Sequence, residues 1–338
     1  ERLSHTILFW RSLTHWIGGM GIIVLAVAIL PLLGIGGMQL FSAEAPGVSP
    51  DKLHPRITET AKRLWLVYVA LTASECILLV IGGMSFFDAI NHSFATMATG
   101  GFSTKNASIG AYDSGFIHLV IILFMFFAGT NFTLIYLGFN GKIKKVWQNS
   151  EFRIYLFVLG VLIVTTFIAI LSNYPNSIGK SLLDSVFQVV SIVTTTGFVT
   201  ADYTVWAPLT NALFFVMLFI GGSTGSTAGS IKIMRHYILI KNSFLELKRQ
   251  QHTTAIIPVR FNGRAVSESI TYNIAAFVLI YVLIFFLGAL FLSLNGVDFE
   301  TSLGAVGASL CNVGPGIGNV GPMDNFADLK MVNKIFLS

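Results

Sequence analysis

The sequence predicts an all-α integral membrane fold assembled from repeated helix–pore-loop–helix units. Three observations carry that prediction. Hydrophobic residues make up 54% of the 338 and charged residues only 11%, with a mean hydropathy of +0.75; an ordinary soluble domain is about a quarter charged. Apolar runs of the roughly 20 residues that a spanning helix needs recur along the chain. Three shorter apolar segments, each closed by a glycine, repeat in register. A soluble enzyme, a secreted disulfide scaffold and a disordered chain are all excluded by this composition.

The long runs lie near residues 7–33, 64–84, 115–139, 152–172, 207–240 (interrupted) and 268–294, and another begins near Phe326. The first is too long for a signal-peptide core, so no signal peptide is expected. Segments near 87–98, 181–193 and 300–311 are too short to span, and re-entrant helices account for their length. Residues 88–104 align without gaps on 184–200, with identities at Asp88/Asp184, Thr99/Thr195, Gly101/Gly197, Phe102/Phe198 and Thr104/Thr200. The third copy places Gly314 in register with Gly101 and Gly197. Internal repetition sets the architecture: each unit reads as outer helix, re-entrant helix, glycine turn, inner helix. Residues 1–40 then hold the inner helix of a first unit, 41–140 a second unit, 141–245 a third with a broken inner helix, and 246–338 a fourth. The first re-entrant turn and most of the last inner helix are expected to lie outside this sequence.

Charge orients the units. Of the 21 Lys and Arg, fifteen fall in 34–63, 140–153 and 230–268, the connections between units, and only Lys105 and Lys180 lie in the loops that carry the re-entrant segments. Positive loops face the cytoplasm, so the glycine turns open outward and the net charge of +5 reflects topology, not nucleic-acid binding. The outward loops carry Asp88, Asp113, Asp184, Asp202, Asp298, Glu300 and Asp324, whose summed field attracts cations. Asp88 and Asp184 are expected chiefly to cap the re-entrant helices, as Asp does at a positive helix end.

The turns carry the chemistry. Glycine allows backbone conformations closed to other residues, so successive carbonyls can face a common axis and replace a cation's hydration shell. Candidate ligands are the carbonyls, and the Thr and Asn side-chain oxygens, of Thr99, Gly100, Gly101, Thr195, Thr196, Gly197, Asn312, Val313 and Gly314. No carboxylate or thiolate stands among them, which suits a monovalent ion in transit, not a trapped divalent one. The plainer alternative is a set of tight turns between packed helices.

Gly221, Gly222, Ser223, Thr224, Gly225, Ser226, Thr227, Ala228, Gly229 and, farther on, Lys232 interrupt the fifth run. Glycine costs a helix interior about 1 kcal/mol relative to Ala, so this tract should unwind within the membrane, where neighbouring helices or water satisfy its backbone. Its plain reading is a structural kink. A phosphate loop is excluded, because the tract lacks the Gly-Lys-Ser/Thr ending. An intramembrane serine hydrolase would need a His base beside Ser223 or Ser226, and His236 is the nearest in sequence. Glu75 is expected to be a neutral or paired structural carboxyl, and Asn131 either lines the pathway or bonds between helices. Trp10, Trp16, Trp65, Trp147 and Trp206 fall near span ends, as interfacial anchors do. Cys76 and Cys311 have neither metal-ligand spacing nor a disulfide signature.

Residues 9–31, the three turns and residues 221–232 resemble the bacterial potassium-transport superfamily of TrkH, TrkG and KtrB proteins. The resemblance spans essentially the whole chain. It implies four pore-loop units around one pseudo-fourfold ion pathway, with K⁺ as the transported ion and no covalent cofactor. It implies a multi-pass bacterial inner-membrane protein set among lipid, no enzyme, with the glycine-rich loop as its gate. It further implies a homodimer and a cytoplasmic ring of nucleotide-binding regulatory subunits of the TrkA kind, for which the basic segment 241–264 is a candidate dock. A KtrB-type or sodium-passing relative is the neighbouring possibility, since the first filter glycine is not in this sequence.

Overall fold

The computed structural model describes residues 3–29, 57–173, 177–252, 255 and 257–338. The expected end of the first span at residues 30–33, the boundary between the first two units and the charges Lys52 and Arg56 lie outside the described residues. Helix α1 (His5–Ile29) packs against the next two helices among the described residues. The second unit comprises the outer helix α2 (Ile57–Ile81), the short α3 (Phe86–Met97) and an inner segment of α4 (Gly115–Ala128) and α5 (Phe132–Phe139). After the short α6 (Ile143–Gln148), the third unit repeats the order with α7 (Ser150–Ile170), α8 (Ile178–Val193), α9 (Pro208–Leu218) and α10 (Ile233–Gln251). A two-stranded hairpin, β1 (Arg260–Phe261) with β2 (Arg264–Ala265), leads into the fourth unit. That unit holds α11 (Glu268–Leu294), α12 (Phe299–Leu310) and α13 (Met331–Leu337).

Layering follows from composition. The long helices α2, α7 and α11 are apolar and long enough to cross a membrane, and they turn Ile77, Phe157 and Leu279 outward, as a lipid-facing surface allows. The short helices are inside: every residue of 187–193 on α8 is buried. Each short helix packs on its own outer helix. Local signals set their starts, since Ser85 accepts the Asp88 N–H and Asp298 accepts the Thr301 N–H at 3.0 Å, the N-cap bond that satisfies an orphan donor.

Three expectations are corrected. The run 115–139 is not one helix: α4 and α5 meet at 109°, because Gly129 and Thr130 leave the helix and Asn131 restarts it by accepting the Thr133 N–H at 2.8 Å. Asp88 and Asp184 do not cap with their carboxylates. Ser85 caps α3 and Asp184 lies well inside α8; each carboxylate instead accepts the hydroxyl sixteen residues on, Thr104 at 2.5 Å and Thr200 at 3.4 Å, tying the re-entrant helix to its returning strand. Among the tryptophans, Trp10, Trp65 and Trp147 are exposed, whereas Trp206 is buried and Trp16 stacks on Tyr68 and donates to Thr72. The tract after α9 is non-helical as expected, closed by a bridge between Ile220 and Ile231.

Candidate functional site

The three turns share one hydrogen-bond pattern. α3, α8 and α12 end at Ala98, Thr194 and Cys311. The next residues, Thr99, Thr195 and Asn312, take left-handed φ angles of 51°, 56° and 56° and donate their N–H to Thr96, Ile192 and Ser309. The N–H of the following residues, Gly100, Thr196 and Val313, reaches back to Ala95, Ser191 and Ala308 at 2.7, 2.9 and 2.9 Å. This is a Schellman ending, which usually places Gly at the left-handed position. A β-branched Thr there is an outlier costing about 1–2 kcal/mol, and it recurs in two units. Sequence reasoning assigned positive φ only to Gly101, Gly197 and Gly314, which do adopt 65°, 80° and 102°.

The turns abut in order. A Cβ on Gly101 would sit 1.8 Å from the Thr196 carbonyl oxygen, and one on Gly197 would sit 2.0 Å from that of Val313. Main chain therefore meets main chain between successive units, as a ring of turns requires. From α1, Arg11 lies 4.3 Å over the Phe102 ring and donates to the Ser103 carbonyl at 2.9 Å, while His15 stacks on the same ring.

Beside the turns lies a cavity of about 850 Å³, walled by Thr99, Gly100, Asn312, Val313 and Gly314 and by residues 226–230 and Lys232 of the glycine-rich loop. Thr195, Thr196 and Gly197 do not line it; the two threonines are wholly buried, and Thr195 reaches the wall only through Gly229. The threonine hydroxyls are already engaged. That of Thr99 donates to the Thr227 carbonyl at 2.9 Å, that of Thr195 accepts the Gly229 N–H at 2.6 Å, and that of Thr196 pairs with Thr194. Each of these three hydroxyls is committed to the loop or to its own turn, while the Asn312 side chain is exposed at the cavity. Among the described residues no three His, Cys, Asp or Glu side chains cluster as a metal site.

The loop docks into the α4–α5 break. Ser223 N–H donates to the Gly129 carbonyl at 2.9 Å, Thr227 N–H to that of Ala128, and Phe132 N–H to the Gly225 carbonyl at 3.1 Å. A Cβ on Gly222 would lie 2.6 Å from the Gly129 oxygen, so only glycine admits this approach. Gly221 N–H closes on Ile231, Ser226 donates to the Ser223 carbonyl, and Lys232 reaches the Ala228 carbonyl. The loop tip touches the turns of two units through Thr227 and Gly229, and a Cβ on Gly229 would meet the third at the Cys311 carbonyl, 2.9 Å away. His236 bonds to the Phe219 carbonyl, not to either loop serine, so the hydrolase geometry is not assembled.

Two residues carry more than the sequence suggested. Asn131 donates to the Thr224 carbonyl at 2.5 Å, so it ties the α4–α5 break to the loop and not one helix to another. Glu151 accepts the Thr224 N–H at 2.6 Å; its only sequence signal was an acid within a basic connection at the head of an apolar run. Glu75 is fully buried in α2. At the start of α12, the Thr301 N–H holds the Asp298 carboxyl below the usual carboxylate range, assisted by the Asn319 amide.

The chain is similar to known proteins over its whole length. The model of a family described as "TrkH: Cation transport protein" matches residues 1–338. The chain is 43% identical over 340 residues to the Trk system potassium uptake protein TrkH of Salmonella typhimurium, covering 100% of this chain and 70% of that one. It is 38% identical to the Trk system potassium uptake protein TrkG of Escherichia coli K12, covering 94% of this chain and 66% of that one. Among solved structures, the crystal structure of the potassium transporter TrkH from Vibrio parahaemolyticus aligns with a TM-score of 0.86 at 38% identity, over 99% of this chain and 69% of that one.

Proposed function

The chain belongs to the TrkH family of cation transport proteins, and from that premise we propose that it forms the pore of a bacterial potassium uptake system. It is an inner-membrane transporter and not an enzyme. In this reading K⁺ sheds its water and passes along the carbonyls of residues 99–101, 195–197 and 312–314, which replace the hydration shell. The negative ends of α3, α8 and α12 point at the same turns and hold the cation further. Lack of a carboxylate among these groups keeps binding weak enough for the ion to leave.

Residues 221–232 are the gate. The observation that carries this reading is the contact of one loop with the left-handed residues of two turns, through Thr99–Thr227 at 2.9 Å and Gly229–Thr195 at 2.6 Å. An ion leaving those turns on the side of the basic connections meets residues 226–230 in the cavity wall. Orientation by positive loops puts that side in the cytoplasm. A second copy of the chain and a nucleotide-binding cytoplasmic ring complete the assembly, with the 241–264 segment as the ring's dock. Within that segment Arg249 is occupied internally, by the Ile257 carbonyl, Asn242 and Glu246, so the exposed Lys248 is its freer charge.

Flux of ⁸⁶Rb⁺ against ²²Na⁺ into liposomes tests the function with the full-length protein. Rb⁺ entry well above Na⁺ entry is expected. Absence of flux for both ions would overturn the reading, and equal entry would leave a cation pore without potassium selectivity.

A further inference from the structure

Resting on the reading of residues 221–232 as the gate, we propose that Glu151 is the latch that keeps this loop closed, gripping it at the Thr224 peptide. Glu151 lies in the first turn of α7, only 5% exposed, and neither lines the cavity nor touches the turns. Its Oε1 accepts the Thr224 N–H at 2.6 Å. A carboxylate acceptor makes such a bond roughly twice as strong as a neutral one. Burying a carboxylate is costly unless it is paired and bonded, and the Thr224 N–H supplies that bond.

Thr224 is held from both sides. While α7 of its own unit takes the N–H, Asn131 of the preceding unit takes the carbonyl at 2.5 Å. A swing that carries Thr224 away from its anchors breaks at least one of the two bonds, because the anchors sit on separate elements. The latch also has a route to the surface. Ser150 N–H, one residue before Glu151, donates to Asn262 Oδ1 at 2.7 Å in the hairpin turn between β1 and β2. A partner that shifts this hairpin would shift the turn of α7 that bears the latch. Glu151 is therefore a positioning residue for gating, not an ion ligand.

The test uses full-length protein in liposomes without regulatory subunits, comparing wild type, Glu151→Ala, Glu151→Gln and a deletion of residues 222–229. Two readouts are taken: ⁸⁶Rb⁺ influx over a range of concentrations, and reaction of a cysteine placed at Ser226 with a charged thiol reagent. Glu151→Ala should raise influx about tenfold, the effect of losing one charged hydrogen bond from the closed state, and should speed labelling at position 226. Half-saturating Rb⁺ and the Rb⁺/Na⁺ ratio should stay at wild-type values, which a general loss of packing would not preserve. Glu151→Gln keeps an acceptor oxygen and should fall between the two; it decides the matter if the Ala variant does not fold. Influx and labelling at or below wild type in both variants, with the deletion still raising flux, would overturn the latch alone. A deletion that raises nothing would instead overturn the gate on which the latch depends.

Discussion

The Cα of Gly101 and the carbonyl of Thr196 stand so close that a Cβ on the glycine would lie 1.8 Å from the oxygen. Both partners are main chain in well-packed turns, so neither can move aside without moving its unit. The contact therefore sets the spacing of adjacent carbonyls as well as excluding every side chain.

Gly101→Ala should accordingly lose most ⁸⁶Rb⁺ uptake, by more than about tenfold if the clash and the strain of φ 65° together exceed 1.4 kcal/mol. Gly160→Ala, on the outer helix α7 with nothing within 4 Å of the added methyl, is the control and should transport normally. Influx assays on both variants in liposomes check this.

Thr195 joins the filter turn to the gate through its hydroxyl and the Gly229 N–H. Thr195→Ala removes the acceptor of the part-buried Gly229 N–H, at a cost of about 1 kcal/mol to the closed arrangement. Basal influx should rise, while Thr195→Ser, which keeps the hydroxyl, should restore the wild-type rate.

Removing residues 222–229 should raise ion flux, because their backbone closes the space between the turns and the α4–α5 break. Single-channel or tracer recordings from monodisperse protein measure it, and unchanged flux would speak for a structural kink.

Asp298 predicts a pH effect on stability. Its folded-state pKa is depressed by the Thr301 N–H and the Asn319 amide. Its stabilisation is therefore present above the unfolded value of about 3.9 and is lost as pH falls through the lower folded value. Thermal unfolding of purified protein between pH 7 and pH 3 should show wild type losing its advantage over Asp298→Asn below about pH 4. The Asn variant still caps the helix and should not respond in that window.

Charge reversal separates docking from folding on α10. Arg249→Glu should lower the melting temperature, since it removes bonds to Ile257 and Asn242 and the ion pair with Glu246. Lys248→Glu should leave melting unchanged and weaken binding of the regulatory ring, as read by co-purification.

Much of the fold was legible because it is written in local pattern. Run length located the outer helices, shorter length the re-entrant ones, and glycine density the unwound tract before α10. The caps were less legible: the sequence pointed to Asp88 and Asp184, whereas Ser85 and Asp298 accept the first helical N–H groups. The α4–α5 bend was harder to see, because Gly129, Thr130 and Asn131 lie inside a run whose hydropathy hardly drops. The left-handed Thr99 and Thr195 were hidden for a different reason: a β-branched residue is among the last that propensity would place there, and only the packing around the turn holds it.

By itself the sequence determined that the chain lives in a membrane, that its units repeat, which loops carry the charge, and where the glycine turns fall. Each follows from composition or from spacing along the chain. Tertiary structure alone decided how the three turns meet and what holds the loop. Those outcomes depend on bonds between residues far apart in sequence: 73 positions separate Glu151 from Thr224, and 93 separate Asn131 from it. A carboxylate or an amide looks the same in sequence whatever it faces; its role is set by the partner that folding delivers.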